Sequence, residues 1–284
     1  MNDSRREAIA AGERAGAGYL LEAPRTMLAG AGGARVSRRA GGSLEFRDHR
    51  DYEPGDDLRH LDWNVLARSD RLAVKQFHEE ISPFVDLIID GSRSTALEGT
   101  RKAEATLSIA ALIAAAARNS SFPYALWTAG ERLERGNWDH LEFDFAGSPA
   151  GALVSGAASL RPLSMRVVIS DFLWPAEPHV ILGALAHGAS AVILVQVMAA
   201  SDAQPDLRGG WRLVDVETGE WREIFFDAGA ESRYRDALAR HRALWEEAAR
   251  NVRAVLVRGI AEEIERELLF PELASAEILR PAWF

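Results

Sequence analysis

A chain of 284 residues, 48% hydrophobic and 26% charged, carries enough apolar material for a sizeable core, as one large α/β domain or a domain with an extension. The formal charge of −9 lies almost wholly beyond Ser82, which argues against the basic face that nonspecific nucleic-acid binding requires. Cysteine is absent, so there is no disulfide framework, thiolate nucleophile or Cys-type zinc site, as suits a reducing compartment.

Residues 4–28 are helix-compatible, loosened by Gly12, Gly16 and Gly18. Arg5-Arg6 briefly resembles a twin-arginine leader, but Glu7 and Glu13 interrupt its apolar part, and no stretch approaches the ~20 apolar residues of a membrane span. The expectation is a cytoplasmic protein with no membrane insertion. Ala29-Gly30-Ala31-Gly32-Gly33 is a break without the G-x-x-x-x-G-K-[ST] phosphate cradle. Arg35, Arg38 and Arg39 then form a basic patch, read as a solvated face, with docking of an acidic partner as the second reading. Arginine outnumbers lysine 31 to 2, read here as codon bias.

From Ser43 onward charged and aromatic residues crowd together. Pro54-Gly55 is a turn signal, Asp56 or Asp57 is placed to cap the next helix, and Leu58, Leu61 and Val65 recur at helical spacing. Arg50, Arg59 and Arg68 alternate with Asp56, Asp57 and Asp62, and Tyr52 and Trp63 are available as anchors. The favoured reading is a charge-knitted cap over a sheet edge with the Trp63 indole buried; direct partner contact is the alternative. Val74 to Phe77 follows as a short strand.

The run Phe84 to Ile89 reads as a buried strand leading into Asp90-Gly91-Ser92-Arg93-Ser94. Ligands of open α/β sheets bind just beyond the carboxyl ends of strands, and one carboxylate with two hydroxyls suits Mg²⁺. The plainer reading is a turn in which Ser92 or Ser94 caps a helix. Lys102–Arg118 is an alanine-rich helix, apolar nearly all round and so buried against a sheet. Tyr124–Thr128 is a strand, with short edge strands at Leu133 and Leu141–Phe145, then a helix over Ala150–Leu160. The strand Met165–Ser170 ends in Asp171, and helix Val180–His187 and strand Ala191–Val197 follow. Trp211–Val216 and Trp221–Phe226 form a hairpin around Glu217-Thr218-Gly219-Glu220. Helix Glu231–Arg250, strand Val252–Val257 and helix Ala261–Phe270 complete the alternation. This order implies an α/β fold with a mainly parallel sheet, helices on both faces and right-handed crossovers. Residues 1–82 group as an N-terminal extension and charged cap, and 83–284 as the α/β domain.

Asp90-Gly91-Ser92-Arg93-Ser94 resembles the D-x-S-x-S segment of the metal-ion-dependent adhesion site in von Willebrand factor A domains, and Asp171 fits the aspartate that follows their fourth strand. Those domains add a threonine from an intervening loop. None of Thr95, Thr100, Thr106 and Thr128 fits that place, so the implied site (Asp90, Ser92, Ser94, Asp171) is incomplete and implies at most weak Mg²⁺ binding. A longer resemblance runs through Glu45-Phe46, Arg50-Asp51-Tyr52, Pro54-Gly55-Asp56-Asp57, Arg59-His60-Leu61-Asp62-Trp63, Ala67-Arg68 and Asp90 to Ser94. In that order these resemble the domain of unknown function 58 family, von Willebrand factor A-like proteins associated with MoxR-type AAA+ ATPases. The resemblance implies an A-like, Rossmann-like fold and a cytosolic adaptor without turnover, working with such an ATPase on client proteins. A Mg²⁺-dependent hydrolase using Asp90 and Asp171 and a metal-free scaffold are the competing readings. Hydrolysis would need a general base, yet the histidines stand at no ligand spacing and no G-x-S-x-G elbow surrounds any serine.

Overall fold

In the computed structural model, which describes residues 3–23, 44–53, 56, 61–69, 71–79, 83–267 and 271–282, the chain opens with helix α1 (Asp3–Gly16) and strand β1 (Tyr19–Leu21). Strands β2 (Leu44–Asp51) and β3 (Ala73–Glu79) pair antiparallel, with the short helix α2 (Trp63–Ser69) between them in sequence. The alternating part begins with β4 (Val85–Asp90), α3 (Lys102–Asn119), β5 (Tyr124–Ala129), β6 (Leu133–Arg135) and α4 (Ala150–Gly156). It continues through β7 (Met165–Ser170), α5 (Pro178–Ala186), β8 (Ala191–Met198) and α6 (Ala200–Ala203). The hairpin β9 (Gly209–Val214) and β10 (Trp221–Phe226) leads into α7 (Ala228–Asn251), β11 (Val255–Ile260), α8 (Ala261–Glu267), α9 (Pro271–Ser275) and β12 (Leu279–Pro281).

Six strands form one sheet in the order β11-β8-β7-β4-β5-β6, parallel except for β6, which runs antiparallel to β5. Successive side chains of each central strand feed opposite faces. Leu87, Ile89, Val167, Ile169, Ile193 and Val195 join a core with residues of α3, α8 and α9. Ile88, Val168, Val192 and Leu194 join a second core with residues of α4, α5 and α7. The expected mainly parallel sheet with helices on both faces is therefore present. β4 and β7 are neighbours although β5 and β6 intervene in sequence, so the strand order reverses between them. That is the switch point of the sheet. Among the described residues no helix is long and apolar enough to cross a membrane.

Helix α3 is buried along nearly its whole length, as its composition implies. Its outer side is covered by α1, which stops at Gly16 rather than running on to residue 28. A Cβ on Gly12 would overlap the carbonyl oxygen of Ser108, and one on Gly16 that of Leu112. These glycines do not loosen a helix; they let two helix backbones touch. β1 then pairs with β12, Tyr19 opposite Pro281, which ties the start of the chain to its end.

The charged segment departs from expectation in three ways. The helix starts at Trp63, not after Asp56, and its cap is Asp62, whose Oδ1 accepts from Asn64 N at 2.9 Å. It cannot start earlier because Leu61 bridges Val74 and Asp62 N donates to Ala73 O at 2.8 Å, holding that stretch extended. Asp56 instead closes a turn, its Oδ2 accepting from Glu53 N at 2.9 Å. Trp63 is 67% exposed, which overturns the buried indole; α2 buries none of its residues. Tyr52 is half-buried and Arg68 exposed, while Phe46 and Arg50 lie on β2 opposite Phe77 and Val74. Pro54, Gly55, Asp57 and Arg59 lie outside the described residues, as do Leu58, the 29–33 break and Arg35, Arg38 and Arg39. Leu141–Phe145 forms no strand, only a bridge from Phe145 to Ser92.

Helix propensity alone makes Gly12→Ala stabilising by ~0.5–1 kcal/mol. The α1–α3 contact reverses the sign: the substitution should destabilise by ~1–3 kcal/mol through overpacking, measured by urea denaturation.

Candidate functional site

Asp90 is the last residue of β4 and Asp171 the first after β7, so the sheet brings the two aspartates to one edge at the switch point. Asp90 Oδ1 accepts from Ser92 N at 2.9 Å; its Oδ2 accepts from Ser170 Oγ at 2.5 Å and Trp174 Nε1 at 2.9 Å. The Ser92 and Ser94 hydroxyls stand 3.0 Å apart, with Thr95 Oγ1 3.5 Å from Ser92 Oγ. Ser92 precedes a short 3₁₀ turn, Arg93–Ala96, but its side chain makes no capping bond, so the plain capping reading is not realised there.

The backbone after β7 is bent to aim Asp171. Phe172 adopts φ +53°, a left-handed conformation that costs a bulky residue free energy and persists only where its surroundings over-determine it. Phe172 N donates to Ser170 Oγ at 2.9 Å, and Phe172 O accepts from His241 Nε2 at 2.6 Å. The Phe172 ring packs 5.8 Å from Trp174 and 4.7 Å from Trp245, centroid to centroid. Asp171 Oδ1 then accepts from Leu173 N at 3.0 Å, and Asp171 O from Gln196 Nε2 at 2.7 Å.

The positive charge of the site is Lys102, the first residue of α3. Its ammonium lies 2.9 Å from Asp171 Oδ2 and 3.1 Å from Asp202 Oδ2, with the Lys102 and Asp171 side chains each only 2% exposed. Burial by itself would lower the Lys102 pKa, but Asp171 and Asp202 outweigh it and the net direction is upward. For Asp90, burial first and the Asp171 charge second raise the pKa, opposed by the hydrogen bonds from Ser170, Ser92 and Trp174.

A further carboxylate arrives from the β9–β10 turn. Glu217 Oε1 accepts from Ser94 N at 2.8 Å and Oε2 from Gly147 N at 2.9 Å, so one side chain joins the Asp90 loop to the segment after β6.

The structure thus places Asp90, Ser92, Ser94 and Asp171 together, with a buried ammonium beside Asp171 that opposes a second cation there. Both oxygens of Asp90 and both of Asp171 already receive protein donors, and Lys102 neutralises Asp171 from 2.9 Å. Among the described residues no group of three or more His, Cys, Asp or Glu converges as a metal shell. Sequence reasoning missed Lys102, Ser170, Trp174, Asp202 and Glu217. Lys102 did leave a signal: in a chain with 31 arginines, one of only two lysines opens a buried helix.

Residues 48–136 match the family described as "Protein of unknown function DUF58", in agreement with the resemblance carried by Glu45 to Ser94. The chain is 29% identical over 234 residues to the uncharacterized protein Rv1480 of Mycobacterium tuberculosis (strain ATCC 25618 / H37Rv), covering 75% of this chain and 72% of that protein. Over 95 residues it is 38% identical to the uncharacterized protein MAV169 of Mycobacterium avium, covering 33% of this chain and 53% of that protein. The solved structure of conserved hypothetical protein BatB from Bacteroides thetaiotaomicron aligns with a TM-score of 0.37 at 12% identity, covering 69% of this chain and 99% of that one.

Lys102→Met leaves Asp171 and Asp202 without their buried counter-charge and should cost ~3–5 kcal/mol at neutral pH, read by urea denaturation. A raised lysine pKa contributes stability that is fully present below the ordinary value of about 10.4 and is lost as pH rises through the folded value. The gap between wild type and Lys102→Met should therefore narrow at strongly alkaline pH. Millimolar Mg²⁺ should leave the wild-type melting temperature unchanged; a rise abolished by Asp90→Ala would restore the metal site.

Proposed function

We propose that this chain is a non-catalytic interaction protein with a von Willebrand factor A-like fold, working with a MoxR-type AAA+ ATPase on client proteins in the cytoplasm. The observation that carries the reading is Trp63. Within the segment most specific to the family resemblance, the tryptophan is 67% exposed on a helix that buries none of its residues. Tryptophan is among the residues that dominate protein–protein binding energy. The sheet order supports the A-like part: with the six strands numbered in chain order from β4, it runs 3-2-1-4-5-6 when read from the β6 edge, the doubly wound arrangement.

Absence of turnover is supported by how the aspartates are used. A hydrolase needs a carboxylate or imidazole with a lone pair free to take a proton from water. Asp90 and Asp171 direct their oxygens to internal donors. Each group holds the fold of the edge in place rather than facing a reactant.

The test is co-purification of the intact chain with a MoxR-type ATPase from the same source. Trp63→Ala should change stability by no more than ~0.5 kcal/mol, as an exposed substitution does. Capture of the ATPase should fall at least ~10-fold. Robust metal-dependent phosphatase or esterase activity in the purified protein, lost in Asp90→Ala, would replace this reading with the hydrolase.

A further inference from the structure

The β9–β10 turn is built to hold one carboxylate in a fixed place. Asp215 Oδ1 accepts from Glu217 N at 2.8 Å and Thr218 N at 3.2 Å, and Asp215 N donates to Glu220 O at 2.7 Å. Gly219, at φ +75°, closes the loop by donating to Asp215 O at 2.8 Å. Glu217 thus stands at a braced tip, and its two oxygens meet two amides from different loops of the body.

Those amides are left over by the local backbone pairing. Arg93 N donates to Phe145 O at 3.0 Å and Phe145 N to Gly91 O at 3.2 Å, so the two loops are zipped together just before Ser94 and Gly147. Ser94 N and Gly147 N are then spanned by a single carboxylate at 2.8 and 2.9 Å. Gly147 takes φ +140°, a conformation that a side chain would strain, and it is this backbone that delivers the second N–H. Two amides converging on one carboxylate form a small anion-receptive concavity.

Apolar burial does little to hold the hairpin there. Of the residues of β9 and β10, Phe226 alone is buried, and Val214, Trp221 and Phe225 are 62%, 58% and 71% exposed. The Glu217 carboxylate is the polar tie between the tip and the loops beneath it, and it is a group that an identical group from elsewhere would replace without loss of hydrogen bonds.

We propose that the Ser94–Gly147 amide pair is a carboxylate-binding subsite, filled in cis by Glu217, and that an acidic side chain of a partner protein takes it when the hairpin tip withdraws. The partner rests on the interaction reading above; the subsite itself is testable without one.

The experiment follows the backbone amides of the full chain by NMR while sodium acetate is added, against sodium chloride at equal ionic strength. In Glu217→Ala the Ser94 and Gly147 resonances should shift saturably with acetate and not with chloride, with half-saturation at least ~10-fold lower than in wild type. Glu217→Gln, which keeps an acceptor oxygen but loses the charge, should fall between the two. A folded Glu217→Ala in which both amides ignore acetate, or answer chloride equally, overturns the subsite. Capture of the ATPase is read in parallel. At least ~10-fold stronger capture by Glu217→Ala than by wild type supports displacement by a partner, while unchanged capture with a responsive subsite overturns that step. Failure of both proteins to capture any ATPase overturns the partner, and acetate then decides the subsite alone.

Discussion

A buried ammonium cannot remain charged in a low-dielectric interior unless it is paired, and the edge of this sheet is organised around that requirement. Lys102 stands at the start of the helix after β4, Asp171 just after β7 and Asp202 on α6 beyond β8. The two ion pairs at 2.9 and 3.1 Å therefore lock together the carboxyl ends of three adjacent parallel strands. Asp171 must point inward to serve Lys102, and the left-handed Phe172, the inward Ser170 hydroxyl and the His241 contact are the backbone's means of aiming it. Trp174, carried on the same bend, reaches back to Asp90. One ion network thus accounts for the conformation of a whole loop.

The same network changes what the D-x-S-x-S pattern means. Its hydroxyls and carboxylates have the composition of a hard-cation site, yet here internal donors reach every carboxylate oxygen and a buried ammonium stands beside Asp171. What the edge does offer is the amide N–H groups of Ser94 and Gly147, and the carboxylate that spans these two comes from the chain's own hairpin.

Packing on the other side of the sheet follows from α3 being apolar nearly all round. A helix of that kind needs cover on the face turned away from the sheet. The cover is α1, whose glycines remove the side chains that would hold it off, and β1–β12 pairing fastens the arrangement. Residues 3–21 are for this reason packed on the α/β body, while the charged segment from β2 to β3 forms its own two-stranded sheet with α2.

Much of this was legible in the residues. Strand and helix alternation from Phe84 onward follows from apolar runs and turn signals that act within a few residues, and the structure reproduces it with boundaries moved by one to three positions at most elements, such as Gly209–Val214 for the first hairpin strand. Asp90 and Asp171 were recognisable for the same reason, since each ends an apolar strand. Lys102, Asp202 and Glu217 were not, because their partners lie 69 and 123 residues away along the chain in the cases of Lys102–Asp171 and Ser94–Glu217, and pairing at that range leaves no local periodicity. Gly12 reads as a helix weakener until a second helix lies against it, and Trp63 as a core residue until the fold leaves it 67% exposed. Local propensity and pattern determined the elements; which side chains are buried, paired or left to solvent was decided only when distant segments met.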